Sequence, residues 1–203
     1  MKVSEAIKNR YSCRSYSDKK VPEKLLLDLL ELANQAPSAA NQQNREFIII
    51  TNKENKKYLA KMNNQPHLEQ APVVILATTK LSHETVADYL KLLENWEMTV
   101  QGIAPDKFKA TKEFEDELKE MKYKWMIQDV AASIENLMLA AIEKGLATCW
   151  LGVMDFQGII EKFRLPKNVV PVCLITLGYE KEPPKYRTIR KPITELIHWE
   201  KYQ

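Results

Sequence analysis

Two guanidinium groups and a hydroxyl fall within five residues at Arg10-Tyr11-Ser12-Cys13-Arg14. In an extended segment the side chains at 10, 12 and 14 point the same way, so their donors converge on one ligand. Arginine's planar fork makes paired, charge-assisted hydrogen bonds to phosphate, and the chemistry this string suits is anion binding. A second string, Pro37-Ser38-Ala39-Ala40-Asn41-Gln42-Gln43, joins small side chains, which let a backbone approach a ligand, to amides that both donate and accept. It suits a polar heterocycle. In the third, Cys149-Trp150-Leu151-Gly152, a strand ends at a glycine, and the Leu151 and Gly152 N–H groups can meet a ligand's edge. The fourth sets Arg187, Arg190 and Lys191 among Pro183, Pro184 and Pro192, whose stiffness can hold a cation at a phosphate. Each string taken alone also has an ordinary reading. These are solvated arginines, a helix-terminating turn in which Ser38 and Asn41 satisfy the backbone, a plain strand end, and solvated charge.

The elements that must position these strings are legible in the hydrophobic pattern. Leucines at 25, 26, 29 and 30, then Ala33, repeat at helical spacing between Pro22 and Ala36, and Pro37 closes the pattern. Leu27 and Leu32 lie off that face, which calls for deep burial or for a second apolar contact on another subunit. Phe47 to Ile50 and Val73 to Ala77 are short β-branched runs that read as buried strands, with a helix over 53–62 between them. The charge-dense stretch of about 83–122 reads as a variable helical insertion, broken near Gly102 to Pro105. Beyond it the spacing predicts a long central helix from Trp125 to Ile142, ended by a left-handed cap at Gly145. A strand over 148–151, a short helix over 156–163 and a strand over 169–177 follow, so both sheet faces are covered. Past Tyr179 the chain becomes a Pro-rich arm at about 183–203 whose apolar end, Ile193 to Trp199, has little local partner.

At 203 residues, 45% apolar and 28% charged, the chain reads as one folded domain, 1–203. Its apolar runs are too short to span a membrane, and Met1-Lys2-Val3-Ser4-Glu5 lacks the core of a secretory signal, so a cytoplasmic location is expected. Cys13, Cys149 and Cys173 form no Cys-x-x-Cys pair, and His67, His83 and His198 have no ligand spacing. Neither a disulfide framework nor a metal site is expected. A net charge of +3 with interleaved signs gives no footprint for nucleic acid.

Taken in order, the four strings resemble the nitroreductase family across nearly the whole chain. The resemblance implies an α+β fold, a central mixed β-sheet flanked by helices, with a C-terminal arm embracing the partner of a homodimer. It implies FMN as cofactor and NADH or NADPH as electron donor. Arg10, Tyr11, Ser12 and Arg14 match the N-terminal flavin motif, and Pro37, Ser38, Ala39 and Asn41 match a segment that serves the partner subunit's flavin. Leu151 and Gly152 match main-chain amides facing the flavin edge, Arg190 a C-terminal phosphate contact, and Asn64 a further polar contact. The chain departs from the family at Asn44-Arg45, where Pro-Trp is common, and at Thr188, where a second basic residue is common and Arg187 or Lys185 could compensate. The implied activity is hydride transfer from NAD(P)H through flavin N5 to electron-poor acceptors such as nitroaromatics or quinones, by ping-pong exchange, with Arg14 as electrostatic partner of the ring. No Gly-x-Gly-x-x-Gly fingerprint is present, so the nicotinamide would stack on the flavin rather than enter a Rossmann domain. The alternative is a flavin store or redox sensor on the same fold, separated from an enzyme by whether NAD(P)H bleaches the flavin.

Overall fold

In the computed structural model, which describes residues 1–80 and 112–202, the sheet is the organising element. Its strands are β1 (Arg45–Ile50), β2 (Val73–Lys80), β3 (Ala147–Leu151) and β4 (Val169–Gly178), in spatial order β1-β2-β4-β3. All three ladders are antiparallel. The parallel component of the expected mixed sheet is a single bridge, Ser12 to Thr148, at the β3 edge.

Around the sheet lie α1 (Val3–Asn9), α2 (Glu23–Asn34), α3 (Lys53–Met62), α4 (His67–Gln70), α5 (Lys112–Glu143) and α6 (Phe156–Phe163). The pleat of β2 assigns its side chains to two cores. Val73, Ile75 and Ala77 join Leu29 and Ala33 of α2 and Val130, Ile134 and Leu137 of α5. Val74 and Leu76 join Leu59 of α3, Leu68 of α4 and Ile159 of α6. Covering both faces is why β2 is a continuous apolar run rather than an alternating one. Each fully buried Leu or Ile contributes about 1.5–3 kcal/mol relative to exposure.

Helices at 53–62 and 156–163 occupy the expected bounds, because each begins at a side-chain cap. Asn52 Oδ1 accepts from Asn55 N at 3.1 Å, and Asp155 Oδ1 from Gly158 N at 2.9 Å. The central helix α5 starts earlier than its apolar pattern does; of the insertion expected at 83–122, residues 83–111 lie outside the described residues and 112–122 are the first turns of α5. At 32 residues α5 is about 48 Å long. It stops where Gly145 takes φ +72°, with Leu146 N donating to Ala141 O at 2.8 Å and Gly145 N to Ile142 O at 3.0 Å. Leu27 and Leu32 are exposed in the single chain, which disposes of the deep-burial reading of the leucine helix.

Candidate functional site

The chain leaves α1 in extended conformation at Arg10 and runs along the edge of β3. Cys13 N donates to Thr148 O at 2.9 Å, and the Tyr16 hydroxyl donates to Cys13 O at 3.0 Å beside Thr176 Oγ1 at 2.7 Å. Cys13 and Tyr16 are thereby buried. Arg10, Ser12 and Arg14 line a cleft of about 860 Å³ whose other wall is the arm, with Lys185, Arg187 and Arg190. The arm is tied to this segment directly. Arg187 Nη1 donates to Lys8 O at 3.3 Å, and its guanidinium lies 5.0 Å from the centre of the Tyr11 ring. The Tyr11 hydroxyl donates to Glu180 Oε1, and burial together with that carboxylate keeps the phenol protonated well above its usual range. Arg190 Nη1 donates to Thr188 Oγ1 at 3.0 Å, so the residue at the second basic position orients the first.

Of the twelve residues expected at the site, the cleft gathers Arg10, Tyr11, Ser12, Arg14 and Arg190. Leu151 and exposed Gly152 stand at the end of β3, the strand to which Ser12 is bridged, but do not line the cleft. Asn64 sits exposed with φ +50° in the turn between α3 and α4. Pro37, Ser38, Ala39 and Asn41 do not line the cleft of their own chain.

Their turn is nevertheless rigidly held. Arg45, buried on β1, donates to Asn34 O at 2.6 Å, Ala36 O at 2.9 Å and Pro37 O at 3.5 Å, satisfying carbonyls that α2 leaves orphaned. Asp129 of α5 accepts from Ala39 N with both carboxylate oxygens, at 3.0 and 3.2 Å. Ser38 Oγ accepts from Gln43 N at 3.0 Å, and Asn41 and Gln43 take left-handed φ of 51° and 53°. Burial pushes the Asp129 carboxyl up against the opposing Ala39 bond and Arg45 charge, and it pulls Arg45 down against Asp129. The departure at Asn44-Arg45 is thus a different clamp on the same turn.

His67, weighed in the sequence only for metal-ligand spacing, is buried. It is 4% exposed, its Nε2 has no hydrogen-bond partner, and burial, then the Arg14 charge, hold the imidazole below its usual value. The unfolded chain protonates His67 first as pH falls below about 6.5, so stability present above that value declines in acid. Between about pH 7 and pH 5 the wild type should lose more stability than His67→Gln. Urea unfolding at several pH values measures this; equal slopes for both proteins would refute it.

The α+β fold thus carries an arginine-lined cleft between its N-terminal segment and a C-terminal arm. The chain belongs to the nitroreductase family, whose pattern matches residues 7–179. A Methanothermobacter thermautotrophicus protein provisionally named NADH dehydrogenase/NAD(P)H nitroreductase is 29% identical, over 100% of this chain and 88% of its own. The FMN reductase (NAD(P)H) of Bacillus subtilis is 27% identical over 94% of this chain and 69% of its own. A protein of Exiguobacterium sibiricum, solved in complex with FMN, superposes with a TM-score of 0.74 at 25% identity, covering 98% of both chains. Among the described residues no helix is long and apolar enough to cross a membrane, and no cluster of three or more His, Cys, Asp or Glu could hold a metal ion.

Proposed function

We propose that the chain is a single-domain, cytoplasmic, FMN-dependent oxidoreductase that works as a homodimer and passes hydride from NAD(P)H to electron-poor acceptors such as nitroaromatics or quinones. The observation that carries this reading is the convergence of Arg10, Ser12 and Arg14 with Arg190 on one cleft. An FMN phosphate carries about −1.5 to −2 charges at neutral pH, and the Arg10 and Arg190 guanidinium forks with the Ser12 hydroxyl suit its oxygens. FMN, when bound, supplies the redox ring; the protein supplies position and electrostatics.

Within this reading Arg10, Ser12 and Arg190 hold the phosphate, and Tyr11, fixed by Glu180, forms part of the wall. Arg14 stabilises negative charge on the flavin ring, the Leu151 and Gly152 N–H groups face the ring's edge, and Asn64 adds a polar contact. Pro37, Ser38, Ala39 and Asn41, held by Arg45 and Asp129 away from their own cleft, serve the partner's cofactor. Donor and acceptor occupy one open site in turn.

Mass spectrometry of the chromophore released from purified protein is the test, with one FMN per chain expected. FAD, or no flavin after reconstitution, would end the assignment. Bleaching of the flavin absorbance by NAD(P)H and its recovery with a quinone is expected of the enzyme; a flavin store would do neither.

A further inference from the structure

The cleft holds more positive charge than one phosphate monoester can use. Lys8, Arg10, Arg14, Lys185, Arg187 and Arg190 all line it, and no carboxylate does. Among the described residues none of the six forms an ion pair. The acids just before the arm, Glu180 and Glu182, do not line the cleft; Glu180 accepts from the Tyr11 hydroxyl and lines a smaller adjoining cavity of about 190 Å³ that shares Tyr11 and Arg187 with the cleft. If FMN binds as proposed above, Arg10 and Arg190 already match the charge of its phosphate, about −1.5 to −2, and Arg14 serves the ring. Lys8, Lys185 and Arg187 remain. The Arg187 to Lys8 carbonyl bond of 3.3 Å brings the arm against the last turn of α1, so residues from both walls line one cleft. Uncompensated like charges in a cleft repel one another and focus a field that concentrates a polyanion there.

We infer that Lys8, Lys185 and Arg187 form a second anion subsite, for the additional phosphate of a phosphorylated dinucleotide donor, and that the protein therefore prefers NADPH to NADH. The inference rests on the FMN reading. The two donors share their nicotinamide chemistry and differ by the 2′-phosphate, worth roughly two negative charges at neutral pH. Discrimination therefore appears in binding of the donor rather than in the hydride step. It also weakens with salt, because the lysines are exposed and screened.

The experiment uses FMN-loaded protein. At low ionic strength kcat/KM for NADPH should exceed that for NADH by about tenfold or more, the difference residing in KM and shrinking as salt is added. In calorimetry, without turnover, 2′,5′-ADP should bind at least about tenfold more tightly than 5′-AMP. The double reversal Lys8→Glu, Lys185→Glu should raise KM for NADPH about tenfold or more while moving that for NADH by less than about threefold. Both lysines are exposed, so reversal disturbs no packing. Equal use of the two donors by FMN-loaded protein, or a preference that survives the double reversal, would overturn the subsite and leave the proposed function standing. Protein that takes up no FMN removes both.

Discussion

Replacing Arg14 by Ala in FMN-saturated protein is expected to slow reduction by NADPH by about ten- to a hundredfold, the few kcal/mol of barrier that one preorganised charge supplies. Arg190→Ala, compared at full occupancy, should be reduced nearly as fast as wild type while holding FMN more weakly. The two arginines share a cleft but not a position within it. Arg14, itself exposed, follows buried Cys13 on the segment bridged to β3, and its charge bears on buried His67 and is the first influence opposing the burial that pushes the Cys149 thiol up. Arg190 belongs to the exposed arm and is oriented by Thr188. Stopped-flow reduction at saturating FMN separates the roles. Equal rates for the two variants would remove Arg14 from the electrostatic one.

Deleting residues 193–203 should lower FMN retention and thermal stability together and shift the protein toward monomer. Ile193, Leu196, Ile197 and Trp199 are 64%, 58%, 44% and 80% exposed in the single chain, too much contiguous apolar surface to leave in water. Leu27 and Leu32 on α2 present a second uncovered apolar face, at 57% and 42%. Each can cover the other across a two-fold axis, which would also carry the 37–41 turn to the partner's cleft. An obligate dimer often has no stable folded monomer, so loss of the arm couples assembly to cofactor binding. Light scattering and flavin fluorescence report both quantities. A truncated chain that is monomeric and binds FMN with unchanged affinity would place the whole site within one subunit.

The clamp on the 37–41 turn shows how a departure from a family pattern is absorbed. A Pro-Trp pair would fix such a turn by stiffness and bulk, whereas here Arg45 and Asp129 fix it by hydrogen bonds to its carbonyls and to Ala39 N. That solution depends on both charges being present, since either alone would be a buried, uncompensated ion.

What the sequence determined by itself is what depends on neighbours within a few residues. The caps at Asn52 and Asp155 and the left-handed Gly145 set the bounds of α3 and α6 and the end of α5, because each is a contest between local backbone conformations, and the β-branched runs mark the centres of the strands, which pairing extends back to Arg45 and on to Lys80. The flavin strings were legible too, as residue types and order. Tertiary structure decided which strings meet. Ser12 bridges to Thr148, Tyr11 bonds to Glu180, and Lys8 O accepts from Arg187, all pairings across more than a hundred residues with no periodicity to announce them. It also decided the sheet's antiparallel order and the burial of Arg45, Asp129 and His67, which look like ordinary surface residues in the sequence. Charge carries no record of its partner along the chain. Only the fold, by bringing the arm against α1, gathers six cations around one cleft that no carboxylate lines.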